Sequence, residues 1–194
     1  MHDIPDRHAG RASERQFGLC LMNGGDARQL RAALGQFPTG VCIVTCAVGG
    51  ERFGMTMSSF NALSLRPPLV LFSIDRQAKG LPAWERAEGF AIHVLSENQS
   101  ALSNRFAGRG ADKWSGLDTR VSLHGAPLLA GVAACFECAA HQVHDAGDHR
   151  LFIARIEQFS RDADRRPLVF AQGRYATLHR QDEEAPIWPA PVHY

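Results

Sequence analysis

The chain has 194 residues, 45% of them hydrophobic and 21% charged, enough apolar material for one globular domain with a sizeable core. Its formal net charge of +1 gives no electrostatic ground for a nucleic-acid partner or an anionic membrane surface. No apolar run approaches the ~18 residues of a membrane span. The polar start, M-H-D-I-P-D-R-H-A-G-R-A-S-E-R, lacks the apolar region of a secretory signal, so the expected compartment is the cytoplasm.

Residues 1–25 read as an N-terminal arm, flexible or strap-like, 26–178 as the folded domain and 179–194 as a C-terminal tail. Asp26, with Gln29 three residues on, has the spacing of a capping pair. It opens a short helix with Leu30 and Leu34 on one face and Gly35 near its end. Phe37-Pro38-Thr39-Gly40 breaks that helix. Val41 to Ala47 is a β-branched strand, and Gly49-Gly50 turns it into the next. Pro67-Pro68 separates two further strand segments, the second being Leu69 to Ile74. Gln77 to Glu88 reads as helical, although Pro82 falls inside it. Gly89 to Leu95 is a strand, and Ser96 with Gln99 forms a capping box for a helix through Phe106.

Residues 107–126 form a Gly-rich, polar loop around Asp112-Lys113-Trp114. Gly131 to His144, Arg150 to Phe159 and Leu168 to Phe170 supply the remaining strands, and Arg161 to Arg166 is a solvated turn. Many short strands with few helices predict a mainly β fold, a barrel with helices attached. Apolar residues on both faces of Val132 to Ala140 fit a barrel wall that is also packed from outside. The weaker alternation of Leu151 to Gln158 fits a half-exposed strand.

The cysteines number five, which does not suit a disulfide framework. Cys42 and Cys46 would share a strand face ~13 Å apart, too far to bridge. Cys135, Cys138, His141 and His144 have the spacing C-x-x-C-x-x-H-x-x-H. On a strand, however, an odd separation puts the two thiols on opposite faces, and no Gly-containing knuckle brings them together. Core cysteines, and no metal, are the expectation.

Gly54 to Ser73 is the stretch on which a site is expected. Its first half sets Thr56, Ser58, Ser59, Asn61 and Ser64 among apolar neighbours, with no charge before Arg66. Small hydroxyl residues on strand-like backbone let main-chain N–H groups approach a flat ligand and add donors at its rim. A buried heterocycle needs them, because each unpaired polar edge atom costs about 1–3 kcal/mol. The same residues would equally suit a solvent-facing edge strand. There is no G-x-G-x-x-G after a strand, no P-loop, no G-x-S-x-G elbow and no H-E-x-x-H helix. Hydride transfer between two bound organic cofactors fits such a chain, since there the cofactor carries the chemistry and the protein aligns it.

Five segments in order carry a resemblance: F-P-T-G-V (Phe37 to Val41), G-M-T-M-S-S-F-N-A-L-S-L-R-P-P-L-V from Gly54, N-R-F-A-G (Asn104 to Gly108), G-D-H (Gly147 to His149) ahead of L-F-I-A-R-I, and P-L-V-F-A-Q-G-R-Y (Pro167 to Tyr175). Over about Asp26 to Leu178 the chain resembles the flavin reductase-like family, short NAD(P)H:flavin oxidoreductases with an FMN-binding split barrel. The resemblance implies FMN, with FAD as the alternative flavin, NADH or NADPH as co-substrate, a homodimer, and a separate flavin-dependent monooxygenase that uses the reduced flavin.

It also implies roles for residues. Thr56, Met57, Ser58, Ser59 and Phe60 would hold the isoalloxazine edge and ribityl chain, with Asn61, Ala62 and Leu63 beside the ring, and Thr39 would be a further cofactor-binding residue. Core packing is the other reading of Phe60 and Leu63. Lys79 or Arg76, in the turn Asp75 to Lys79, would counter the phosphate. Arg105 and Phe106 would touch the flavin, and Lys113 with Trp114 would cover the site. His149 would meet the nicotinamide, since an imidazole near neutral pH can donate to the carboxamide or stack on the ring. Tyr175 is a second residue of that cleft. Two other readings keep the barrel: a non-catalytic flavin- or haem-binding electron carrier, and a pyridoxamine-phosphate-oxidase-like enzyme. The latter calls for a dense Arg/Lys phosphate site that the sequence lacks.

Overall fold

The computed structural model describes residues 27–110 and 112–178. The expected arm, the tail and the capping residue Asp26 lie outside the described residues. The elements are α1 (Ala27–Leu34), β1 (Thr39–Gly40), β2 (Cys42–Val48), β3 (Glu51–Met57), β4 (Asn61–Leu65), β5 (Pro68–Asp75), α2 (Leu81–Arg86), β6 (Gly89–Val94), α3 (Ser100–Ala107), β7 (Arg120–Val121), β8 (Pro127–Leu128), β9 (Ala134–Ala146), β10 (His149–Arg161), β11 (Val169–Ala171) and β12 (Arg174–Ala176).

Seven strands form one antiparallel sheet in the order β3-β2-β6-β9-β10-β5-β4. Its two edge strands, β3 and β4, are consecutive in the chain and are joined only by Ser58, Ser59 and Phe60. The sheet therefore curls until its edges meet at that crossover, but β3 and β4 do not pair, and the barrel stays split along this seam. The interior collects side chains from around the wall, among them Val44, Met57, Phe72, Phe90, Cys138 and Phe152. Phe72 stacks on Phe152 and meets Phe90 edge-on, each with ring centroids 5.1 Å apart. Such pairs add to the large area that each ring removes from water.

A second core lies outside the wall. Val41, Ile43, Leu95, Phe106, Leu129 and Leu168 pack there, beneath α3 and a small sheet ordered β1-β11-β12. β2 consequently has Val44 facing inward and Ile43 outward, both fully buried. The strand expected to be packed on both sides, Val132 to Ala140, likewise buries Cys138 inside the wall and Cys135 on its other face.

Local chemistry explains where the elements begin and end. Gly49 and Gly50 have φ of 59° and 84°, the left-handed geometry that a two-residue hairpin turn requires. The helix expected over Gln77 to Glu88 is only Leu81–Arg86, because Pro82 sits in its first turn, where a missing N–H breaks no helical bond. The Asp75 carboxylate accepts from the Gln77 N–H at 2.7 Å and holds the preceding residues in a turn. The capping box half-forms: the Gln99 side chain accepts from the Ser96 N–H at 3.0 Å, while the Ser96 hydroxyl bonds Asn98 and the Gly131 carbonyl. The helix accordingly starts at Ser100, four residues after Ser96.

Cys42, Cys46, Cys135 and Cys138 are all buried, and burial pushes each thiol up to about 12. Cys138 belongs to the barrel interior, whereas Cys135 lies opposite His93 on the outer side of the wall. The two face opposite ways, as their spacing requires.

Candidate active site

A cleft of about 200 Å³ opens where the split seam meets α3 and the small sheet. Val41, Met57, Ala107 and Phe170 give it an apolar floor, and Thr56, Ser58, Ser103 and Tyr175 supply hydroxyls. The Thr56 hydroxyl donates to the Ser103 carbonyl at 2.7 Å, tying β3 to α3. The Tyr175 hydroxyl lies 2.8 Å from both Ser103 Oγ and Asn104 Oδ1, tying the β11–β12 hairpin to the same helix. Tyr175→Phe removes that bridge; stability is expected to fall by about 1 kcal/mol, read as a lower urea midpoint.

The polar character of the cleft comes from an open strand edge. The Trp114 indole N–H donates to the Arg52 carbonyl at 3.2 Å, and Lys113 donates to the Gly54 carbonyl at 3.3 Å. Both carbonyls therefore point away from β2, and the loop around Lys113 covers this part of the β3 edge. Backbone groups of alternate residues in a strand point the same way, so Thr56 turns its own toward the same open side. Beyond it, the N–H groups of Ser58, Ser59 and Phe60 donate to no group among the described residues. A run of unpaired N–H groups beside an apolar floor fits a flat heterocycle with electronegative atoms along one edge.

The crossover is fixed at its far end. Ser59 Oγ accepts from the Ser73 N–H at 3.0 Å and lies 3.2 Å from the Ser73 carbonyl, so its hydroxyl pins the seam to β5. Asp75, two residues on and thus ~7 Å along the strand, pairs with His149. His149 opens β10 directly after the turn at Gly147 and Asp148, and its side chain is 41% exposed. Its Nδ1 lies 2.7 Å from the Asp148 carboxylate, an acceptor that suits a proton on Nδ1, and Nε2 has no partner among the described residues. The hydrogen bond from His149 holds the Asp148 carboxyl below the usual carboxylate range. In the adjoining turn Arg76 is paired with Asp145 at 3.0 Å, while exposed Lys79 has no carboxylate partner among the described residues.

The structure thus brings Thr56, Met57, Ser58 and Tyr175 into one cleft; Thr39 does not line it, but pairs in register with Phe170, which does. His149 stands apart from the cleft, paired with Asp75 at the β5 end of the seam, and Lys79 follows in the loop between β5 and α2. Asn61 and Ala62 are exposed on edge strand β4, and the Phe60 ring stacks on Phe136 with centroids 5.8 Å apart. Arg105 donates to the Ser115 carbonyl in the covering loop. Phe106 is corrected: its ring is fully buried, edge-on to Trp114 at 5.0 Å, and a Cβ added at Gly54 would stand 2.5 Å from it. An enclosed ring has no face to offer a ligand, so Phe106 supports the wall. Ser103, Ala107, Val41 and Phe170 line the cleft without having been singled out; Ser103, a hydroxyl one turn into the helix that carries Asn104 and Arg105, was the available signal.

Comparison with known proteins agrees with this geometry. The family described as "Flavin reductase like domain" matches residues 34–179. The reductase subunit HsaB of a flavin-dependent monooxygenase from Rhodococcus jostii is 41% identical over 79% of this chain and 78% of its own length. The FMN reductase (NADH) SmoA of Agrobacterium fabrum is 41% identical over 81% of this chain and 90% of its own. Among solved structures, the NADH:FAD oxidoreductase SgcE6 of Streptomyces globisporus, in complex with NAD and FAD fragments, superposes with a TM-score of 0.77 at 34% identity, covering 87% of this chain and all of that one. A split barrel, an open-edged cleft at its seam and these relatives lead to one conclusion: the chain belongs to the flavin reductase-like family.

Proposed function

We propose that this protein transfers a hydride from NADH or NADPH to FMN, with FAD as the alternative flavin, and releases the reduced flavin to a separate monooxygenase. The carrying observation is the cleft at the seam, where Ser58 lines an apolar floor and the N–H groups of Ser58, Ser59 and Phe60 have no acceptor among the described residues. They hold the polar edge of the ring and offset the negative charge it gains, as preorganised donors do. Thr56 and Ser58 orient the ring from the β3 edge, and Thr39 and Tyr175 close the opposite rim. Lys79 counters the flavin phosphate. His149, at the far end of the seam, orients the nicotinamide so that the reacting atoms come within ~3–3.5 Å.

FMN is named for SmoA, NADH and FAD for SgcE6, and a flavin-dependent monooxygenase for HsaB. A homodimer is supported by apolar surface around the seam: Leu63 and Leu65 on β4 and Phe159 on β10 are 39%, 68% and 71% exposed. No helix among the described residues is long and apolar enough to cross a membrane, and the proposed compartment is the cytoplasm. Anaerobic stopped-flow mixing with FMN and NADH should bleach the flavin absorbance in an enzyme-dependent manner. Absence of bleaching with both NADH and NADPH removes the reductase reading.

A further inference from the structure

Two walls of the cleft meet at a half-buried amine. β3 contributes Thr56 and Ser58, and α3 contributes Ser103 and Ala107. Besides the Thr56–Ser103 bond, these walls are joined by Lys113, whose Nζ donates to the Phe106 carbonyl at 2.8 Å and to the Gly54 carbonyl at 3.3 Å. Phe106 precedes Ala107, and Gly54 lies two residues before Thr56, so the amine sits directly behind the cleft lining.

Three features mark this lysine. The Phe106 carbonyl belongs to the last turn of α3, the negative end of the helix, where a cation is favoured. No carboxylate pairs with Lys113 among the described residues, so its charge is not neutralised locally. Its loop is also held on either side: Trp114 Nε1 donates to Arg52, and the Arg105 guanidinium to Ser115. Burial pulls the Lys113 amine below the usual lysine range.

We infer that Lys113 is a positioning residue of the flavin site: it fixes the spacing of the β3 and α3 walls, and its charge favours reduced over oxidised flavin. The inference rests on the flavin reading above. Hydride transfer moves two electrons and one proton to the flavin, which gains one negative charge, and leaves the nicotinamide with one positive charge. A cation held behind the wall stabilises the product ring more than the starting one, and the oxidised nucleotide can depart.

The test compares the full chain with Lys113→Gln, which keeps a donor without the charge, and Lys113→Arg, which keeps the charge. Dissociation constants are measured for oxidised FMN and for FMN reduced anaerobically with dithionite, with thermal melts to establish folding. For a unit charge behind the cleft lining in partly solvated protein, Lys113→Gln should weaken reduced FMN roughly fivefold more than oxidised FMN, with Lys113→Arg within about twofold of the parent ratio. Lys113→Met is the second neutral variant if the glutamine variant does not fold. An unchanged ratio in either folded neutral variant overturns the inference and leaves the flavin reading standing. Failure of the parent chain to bind FMN in both redox states is the distinguishable result that removes both.

Discussion

His149→Ala is expected to slow NADH-dependent flavin reduction roughly 10- to 100-fold while leaving flavin affinity within about twofold. The separation follows from where the residue stands. His149 lies outside the cleft formed by Thr56, Ser58 and Tyr175, at the β5 end of the seam. Its imidazole is partly exposed, and its Nδ1 is engaged by Asp148, so Nε2 is the nitrogen left to meet a carboxamide. Alanine removes that contact but keeps the backbone pairing of His149 with Asp75 and Ala146, so the hairpin stays in register. Loss of an orienting group lowers the fraction of bound nucleotide within attack distance, which a stopped-flow series in NADH reads directly. A fluorescence titration of FMN gives the affinity. Rates equal to those of the parent chain would place the nicotinamide elsewhere, or favour the electron-carrier reading of the same barrel.

Much of the fold could be read from the sequence because its signals are local. Gly49-Gly50 demanded a left-handed turn and forms one, and the apolar run Val41 to Ala47 is a strand with both faces covered. The β11–β12 hairpin was read only as Leu168 to Phe170, since its turn, Gln172-Gly173, needs a positive φ at a glutamine (50°), which sequence does not advertise. The cleft was legible where its chemistry is concentrated, in Thr56 to Ser59. It was not legible where the fold assembles it from distant segments: Val41 and Phe170 look like ordinary core residues until β1 pairs with β11. Phe106 shows the converse error. An aromatic beside an arginine in a matching motif invites a ligand role, but Gly54 leaves a gap in β3 that this ring fills together with the edge of Trp114.

His93, in the run F-A-I-H-V, sets the second large effect, acid lability. The imidazole is fully buried; its Nε2 accepts from the Leu129 N–H at 3.1 Å, and its Nδ1 lies 2.9 Å from the Ile43 carbonyl. Both bonds are satisfied only by the neutral ring with its proton on Nδ1. A second proton would set two donors against each other at Leu129. Burial accordingly pulls the His93 pKa down to about 4, although the bond to Ile43 and the charge of Glu137 push it up.

The sign follows. The folded-state value lies below the unfolded value of about 6.5, so this stability is complete above pH ~6.5 and is lost as the pH falls toward 4, by roughly 3 kcal/mol. Asp145, Asp148, Glu157 and Asp162 are all held below the ordinary carboxylate range, so their contributions are lost at more acid pH. The segment released first should be the one His93 grips. Leu129 follows β8, which is also tied to β2 through the Thr45 hydroxyl and the Pro127 carbonyl at 2.7 Å. His93→Gln retains hydrogen-bonding capacity without an ionisable ring, and is expected to be less stable at pH 7.5 but flatter below pH 6.5. Urea midpoints at half-unit steps from pH 7.5 to 4.5 measure both slopes. Parallel slopes for parent and variant would show that the buried imidazole takes no part in the acid transition.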